Sequence, residues 1–228
     1  MGFTKENLCT DREVLFRFLI LISYDRQPFD RPDYFAVWDP TDQQSVFNVL
    51  KTAGLFEIDR IRKLSEAEIS HDLSKYVAHG YHLHNTNPGG GPGTDYSKTF
   101  KKISQITDEV MATLPKLRTA LDVYNLHARV HVHGIGDIIA SKFIMYTVRE
   151  LGIGNVPHSE LGVVSSHLFG EAHNKKWAQR LEDPKLGGRP GLMYQVMQNM
   201  TEDPMALDYL WQLDKDFCTS GRCEECDL

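Results

Sequence analysis

Apolar side chains recur along this chain at helical spacing, and the alternation that would mark a half-buried strand is nearly absent. Between Glu13 and Tyr24, the residues Val14, Leu15, Phe18, Leu19, Leu21 and Ile22 make a wide apolar face, which Thr10 or Asp11 can cap. The same reasoning predicts helices over Asp42–Ala53, Ser65–Lys75, Tyr96–Leu114, Leu117–Ala128 and Asp137–Leu151. Further on it predicts them over Glu160–Phe169, His173–Leu181, Leu192–Met200 and Pro204–Phe217. Ser65-Glu66-Ala67-Glu68 has the form of a capping box, and Gly152 is placed to end the helix before it. Three prolines and four aspartates make 25–40 a loop, and the polar run 82–94 with Gly89-Gly90-Gly91-Pro92-Gly93 can be neither helix nor central strand. The expected fold class is all-α.

A length of 228 residues with 41% hydrophobic content is enough for one substantial core. The apolar run Val14–Ile22, interrupted by Arg17, falls far short of the roughly 20 residues that span a bilayer. The polar stretch 1–12 does not read as a secretory leader, and Glu6 replaces the Ser or Thr of a myristoylation signal. The expectation is a soluble cytoplasmic monomer with no membrane partner. A net charge of −6, from 31 acids against 25 bases, argues against coating nucleic acid by bulk charge but leaves room for a local basic face. Candidates for that face are Arg60-Ile61-Arg62-Lys63, Lys98 with Lys101-Lys102, and Lys175-Lys176.

The segment 126–151 carries the most specific pattern: helix, a turn holding Gly134-Ile135-Gly136, and a second helix with the small Ala140 near its start. Glycines permit a sharp turn, and the helix after it begins with unpaired N–H groups that suit a phosphate. An ordinary αα-hairpin would show the same residues. His133, just before the turn, is the histidine best placed to touch DNA, and Lys142 lies in the helix after it.

Two further segments join this hairpin in a resemblance to the helix-hairpin-helix DNA glycosylases. The apolar helix running into Ser23-Tyr24-Asp25-Arg26-Gln27 looks like their first core helix, which leads to a loop that probes the base stack. Leu210-Trp211-Gln212-Leu213, followed by Cys218-x4-Cys223-x2-Cys226, resembles the iron–sulfur tail of the endonuclease III branch. Gly80-Tyr81, separated by the glycine loop from Lys98 and Phe100, is similar to the segment before the hairpin. The resemblance implies one unit over 1–228, with a central lobe at 25–150 and a second lobe of 1–24 and 152–228 ending in a metal tail at 218–226.

It also implies DNA with a modified base as partner, base flipping, and Arg26 or Gln27 filling the vacated space, with His133, Gly134, Gly136, Lys142 and Lys98 toward DNA. Where lyase-type members carry a catalytic lysine this chain has Ile138, and no aspartate stands between Asp137 and Asp183. Glu160 is the nearest replacement for the family's aspartate, with His158 beside it and Asp25 in reserve. A carboxylate there would stabilise an oxocarbenium-like sugar or orient water, whereas an acid in the first turn of a helix is also favoured by the helix dipole alone.

The expected activity is glycosidic-bond cleavage without the lysine step. The alternatives are the transfer of an amino acid or polyamine onto an activated hydroxymethylpyrimidine, as in phage relatives, or a non-catalytic reader. For transfer, Lys98, His158 and the glycine loop become the candidates. Three terminal thiolates are one short of a closed metal site, and Cys9 supplies the fourth if the chain ends meet, for zinc or a 4Fe-4S cluster.

Overall fold

A computed structural model describes residues 2–24, 37, 39–79, 81–84, 95–157 and 184–186. Within them the chain is predominantly helical, as its periodicity requires, with one two-stranded ribbon. The first helix, α1 (Lys5–Thr10), is absent from the sequence-based expectation because its only buried side chain is Leu8. Thr4 and Asn7 close a reciprocal cap at its start. The next, α2 (Arg12–Tyr24), is capped by Asp11, whose carboxylate accepts the N–H groups of Glu13 (2.9 Å) and Val14 (3.2 Å).

Helix α2 is apolar nearly all round, and every residue from Phe18 to Tyr24 is buried. A helix of that composition must lie inside, and the other elements collect around it. Phe3 packs on Phe18 at 4.9 Å, and Phe16 meets Phe100 edge-on at 6.3 Å. Three short helices follow: α3 (Val46–Thr52), α4 (Ile58–Lys63) and α5 (Glu66–Ser74). The expected capping box at α5 is present, with the Ser65 N–H donating to Glu68 Oε2 at 2.7 Å and the Glu68 N–H to Ser65 Oγ at 3.3 Å.

Helix α4, which periodicity misses, has no cap of its own. Glu13 of α2 reaches across to accept the Ile58 N–H at 3.1 Å, and Lys101 closes the other end with bonds to the carbonyls of Arg62 (2.8 Å) and Leu64 (2.6 Å).

Strands β1 (Val77–Ala78) and β2 (Tyr81–His82) form an antiparallel ribbon that ends where the loop expected over 82–94 begins; residues 85–94 lie outside the described residues. His79 at its tip has φ +47 and contacts Asp42. The long amphipathic α6 (Tyr96–Thr113) buries Tyr96, Phe100, Ile103, Thr107 and Val110 and packs along α2. It leads through a short 3-10 turn (Leu114–Lys116) to α7 (Ala120–Val130) and α8 (Asp137–Ile144). The helix predicted over Asp137–Leu151 changes to π-helical winding over Met145–Glu150 before Gly152, at φ +59, ends it. The helices predicted after residue 157 lie outside the described residues. Among the described residues no helix is long and apolar enough to cross a membrane.

Candidate nucleic-acid interface

The hairpin begins with a well-capped α7. Thr119 Oγ1 accepts the Asp122 N–H at 3.2 Å, and Asp122 Oδ2 accepts the N–H groups of Arg118 and Thr119, each at 2.9 Å. The backbone N–H of Arg118, then the N–H and hydroxyl of Thr119, hold the Asp122 carboxyl below the usual range. Arg129 near the far end of α7 pairs with Glu109 of α6.

After α7 the backbone closes a tight turn in which Val132 and Ile135 bridge and the Ile135 N–H donates to the Val132 carbonyl at 2.8 Å. Ile135 is fully buried and roots the turn in the core, while His133 and Gly136 face solvent. The Ala140 N–H then donates to the Gly136 carbonyl at 2.9 Å, so α8 starts at a glycine that brings no side-chain oxygen to its first N–H groups. Ala140 is fully buried, as a close helix–helix approach requires.

The two glycines of this turn have different duties. Gly134 has φ +86, and a Cβ there would lie 2.0 Å from Thr99 Oγ1 and 2.8 Å from Thr99 Cβ. Gly136 is outside the left-handed region, and its Cβ would meet nothing within 4 Å. Only Gly134 is demanded by the fold. Gly136 keeps open space where a side chain would stand.

The seat on Thr99 places the turn beside the first turn of α6. Lys98 is the neighbouring residue there and is exposed, with its ammonium 3.6 Å from the Asp95 carboxylate. Asp95 caps α6 by accepting the Ser97 N–H at 3.1 Å and the Ser97 hydroxyl at 2.5 Å. Burial works to raise its pKa, but the bonds from the Ser97 hydroxyl and from the N–H groups of Lys98 and Ser97 outweigh it and leave the carboxyl below the usual range.

The C-terminal end of α2 arrives at the same place. Tyr24 and Tyr96 stack face to face at 3.9 Å and 4°, and the Tyr96 hydroxyl donates to the Ser23 carbonyl at 3.0 Å. The Tyr24 hydroxyl donates to the Leu83 carbonyl at 2.8 Å, and the Tyr96 N–H to the His84 carbonyl at 3.3 Å. The hairpin turn, the α6 N-terminus, the end of the ribbon and the last turn of α2 therefore meet in one place.

Of the residues expected to contact DNA, the structure brings together His133, Gly134, Gly136 and Lys98. Lys142 differs from its expected place on an open surface: the residue is only 6% exposed. Ala140 and Phe143 of α8 are buried as well. The basic face also needs correction. Arg60 spends its guanidinium on the carbonyls of Ala53 and Gly54 and on Asp72, and Arg62 spends its own on the Ser104 carbonyl and Asp108. With Lys101 closing α4, these cations hold the fold together; Lys63 and Lys102 remain exposed. Asp25, Arg26, Gln27, His158, Glu160 and Lys175-Lys176 lie outside the described residues.

Cys9 sits near the end of α1, half-buried against the core. Burial pushes its thiol pKa up, with Lys5 pulling the other way, so the thiolate a metal needs would have to be won from a protonated thiol. Cys218, Cys223 and Cys226 lie outside the described residues, and among those described no three His, Cys, Asp or Glu side chains gather to hold a metal. Thr99 and the Tyr24–Tyr96 pair went unnoticed in the sequence, because nothing in their local pattern signals a contact across more than thirty residues. Compared with models of protein families, with curated proteins and with solved structures, the chain matches none.

Proposed function

We propose that this protein binds DNA through the 120–144 hairpin and flips and processes a modified or damaged base, as a divergent member of the helix-hairpin-helix glycosylases. The supporting observation is the turn itself: its first glycine is packed against Thr99, while the second is open at the start of α8. A helix start of that kind offers backbone donors and a dipole that suit a phosphate. In this reading the unit has two helical lobes, with Cys9, Cys218, Cys223 and Cys226 holding zinc or an iron–sulfur cluster. Arg26 or Gln27 occupies the space of the extruded nucleotide, and Glu160, with His158 or Asp25, serves the sugar.

Replacing Gly136 by Asp tests the hairpin directly, since the site has room for the side chain and the new charge opposes phosphate. Affinity for duplex DNA should fall at least about tenfold with thermal stability nearly unchanged. Unchanged affinity would end the hairpin reading. Because Ile138 stands at the lyase-lysine position and no aspartate follows before Asp183, a transferase that keeps the flipping scaffold is the second reading. Intact-mass analysis of oligonucleotides bearing altered bases separates the two. A free base with a matching abasic strand is the glycosylase, a heavier strand is the transferase, and binding with neither product leaves a reader of modified DNA.

A further inference from the structure

Tyr96 and Thr99 stand three residues apart and therefore on one face of α6. Each is fully buried, and each touches a different part of the candidate interface. Thr99 fills the space that Gly134 leaves, with its Cβ, Oγ1 and Cγ2 all closer than 3 Å to where a Gly134 Cβ would stand. Its hydroxyl also donates to the Asp95 carbonyl at 3.3 Å, which orients the side chain. Tyr96 holds the last turn of α2 twice, by ring stacking on Tyr24 and by its hydroxyl on the Ser23 carbonyl.

Packed contacts of this kind transmit position, because interiors are close-packed and have no slack to absorb a displacement. We infer that the first turn of α6 acts as a spacer that fixes the hairpin turn relative to the end of α2, with Thr99 and Tyr96 as its positioning residues. This rests on the proposed DNA-binding reading. Thr99 governs how the phosphate-facing turn is held, and so how tightly any duplex binds. Tyr96 governs where α2 ends, and so how well a weakened base step is told from a sound one.

The test compares two short duplexes, one fully paired and one with a single mismatch, by fluorescence anisotropy on the full chain. Thr99→Ala removes the support under Gly134; it should weaken both duplexes about tenfold and leave their ratio unchanged. Thr99→Val keeps the shape and should restore affinity. Tyr96→Phe keeps the stack but loses the bond to Ser23. Binding of the paired duplex should stay within about twofold while preference for the mismatch falls severalfold.

A purely structural role predicts something else: both variants would weaken both duplexes in step with their loss of thermal stability, and that result overturns the inference. So does a wild-type protein that does not distinguish the duplexes, or variants that change neither quantity while Gly136→Asp abolishes binding. If Gly136→Asp binds as wild type, the DNA-binding reading itself has failed, and the spacer falls with it.

Discussion

The tripeptide Gly-Ile-Gly occurs twice in the described chain, at 134–136 and again at 152–154, and both times the isoleucine is buried. In the first turn the leading glycine is squeezed, against Thr99, and the trailing one is open. The second reverses this. Gly152 at φ +59 has nothing within 4 Å of its would-be Cβ, while Gly154 at φ +81 would push a Cβ to 2.8 Å from Leu117 Cβ and 2.9 Å from its carbonyl oxygen. The first turn delivers the chain into the open start of α8. The second returns it to the core, with the Asn155 N–H donating to the Leu117 carbonyl at 2.8 Å and Lys5 donating to the Gly152 carbonyl at 2.6 Å. The same three residues make an exposed helix start in one place and an internal tie in the other. What a glycine is for depends on the neighbour it lets in.

Alanine at each glycine sharpens that contrast. Gly134→Ala combines left-handed strain with a collision against a buried threonine, and should cost roughly 4 kcal/mol of unfolding free energy, read from urea denaturation. Gly154→Ala meets a backbone carbonyl that cannot swing aside; roughly 3 kcal/mol is expected, with the DNA affinity of the folded protein unchanged. If Gly154→Ala lost DNA affinity while staying folded, the second turn would be an interface and not a tie.

Gly152→Ala carries the backbone strain alone, about 1 kcal/mol. A loss as large as that at Gly154 would show that its carbonyl bond to Lys5 had also been displaced. The smallest effect concerns acid. Because the folded state holds Asp122 below its usual range, its cap stabilises above about pH 4 and is lost as pH falls through the lowered value. The gap in melting temperature between wild type and Asp122→Ala should therefore be widest at neutral pH and narrow as acid protonates the carboxylate. A gap that is constant with pH would mean that the ionised carboxylate adds nothing over helix propensity.

The helical class was legible because apolar spacing is a local property, and so were the hairpin and the Ser65–Glu68 capping box, which draw on residues three or four apart. The second Gly-Ile-Gly could have been noticed as a repeat, though its role could not, since Leu117 reaches Gly154 only through the fold. Helix α4 was illegible for the same reason: Glu13 and Lys101, distant in sequence, supply its ends. Runs of Arg and Lys mark a solvated surface until the carbonyls they meet are known, and here Arg60 and Arg62 turn towards backbone oxygens. Lys142 is the sharpest case, since helical position alone gave no sign that its side chain lies inside.

Lys101 also alters how the surface of α6 will respond to reagents. Three lysines lie within five residues on that helix, yet the Lys101 amine is committed to main-chain oxygens while Lys98 and Lys102 stand exposed. An electrophile that acylates amines needs the lone pair, which Lys101 can offer only after letting go of the helix end it closes. Acylation of Lys101 in the folded protein thus becomes a clock for the detachment of α4, with Lys98 and Lys102 as the fast reference beside it.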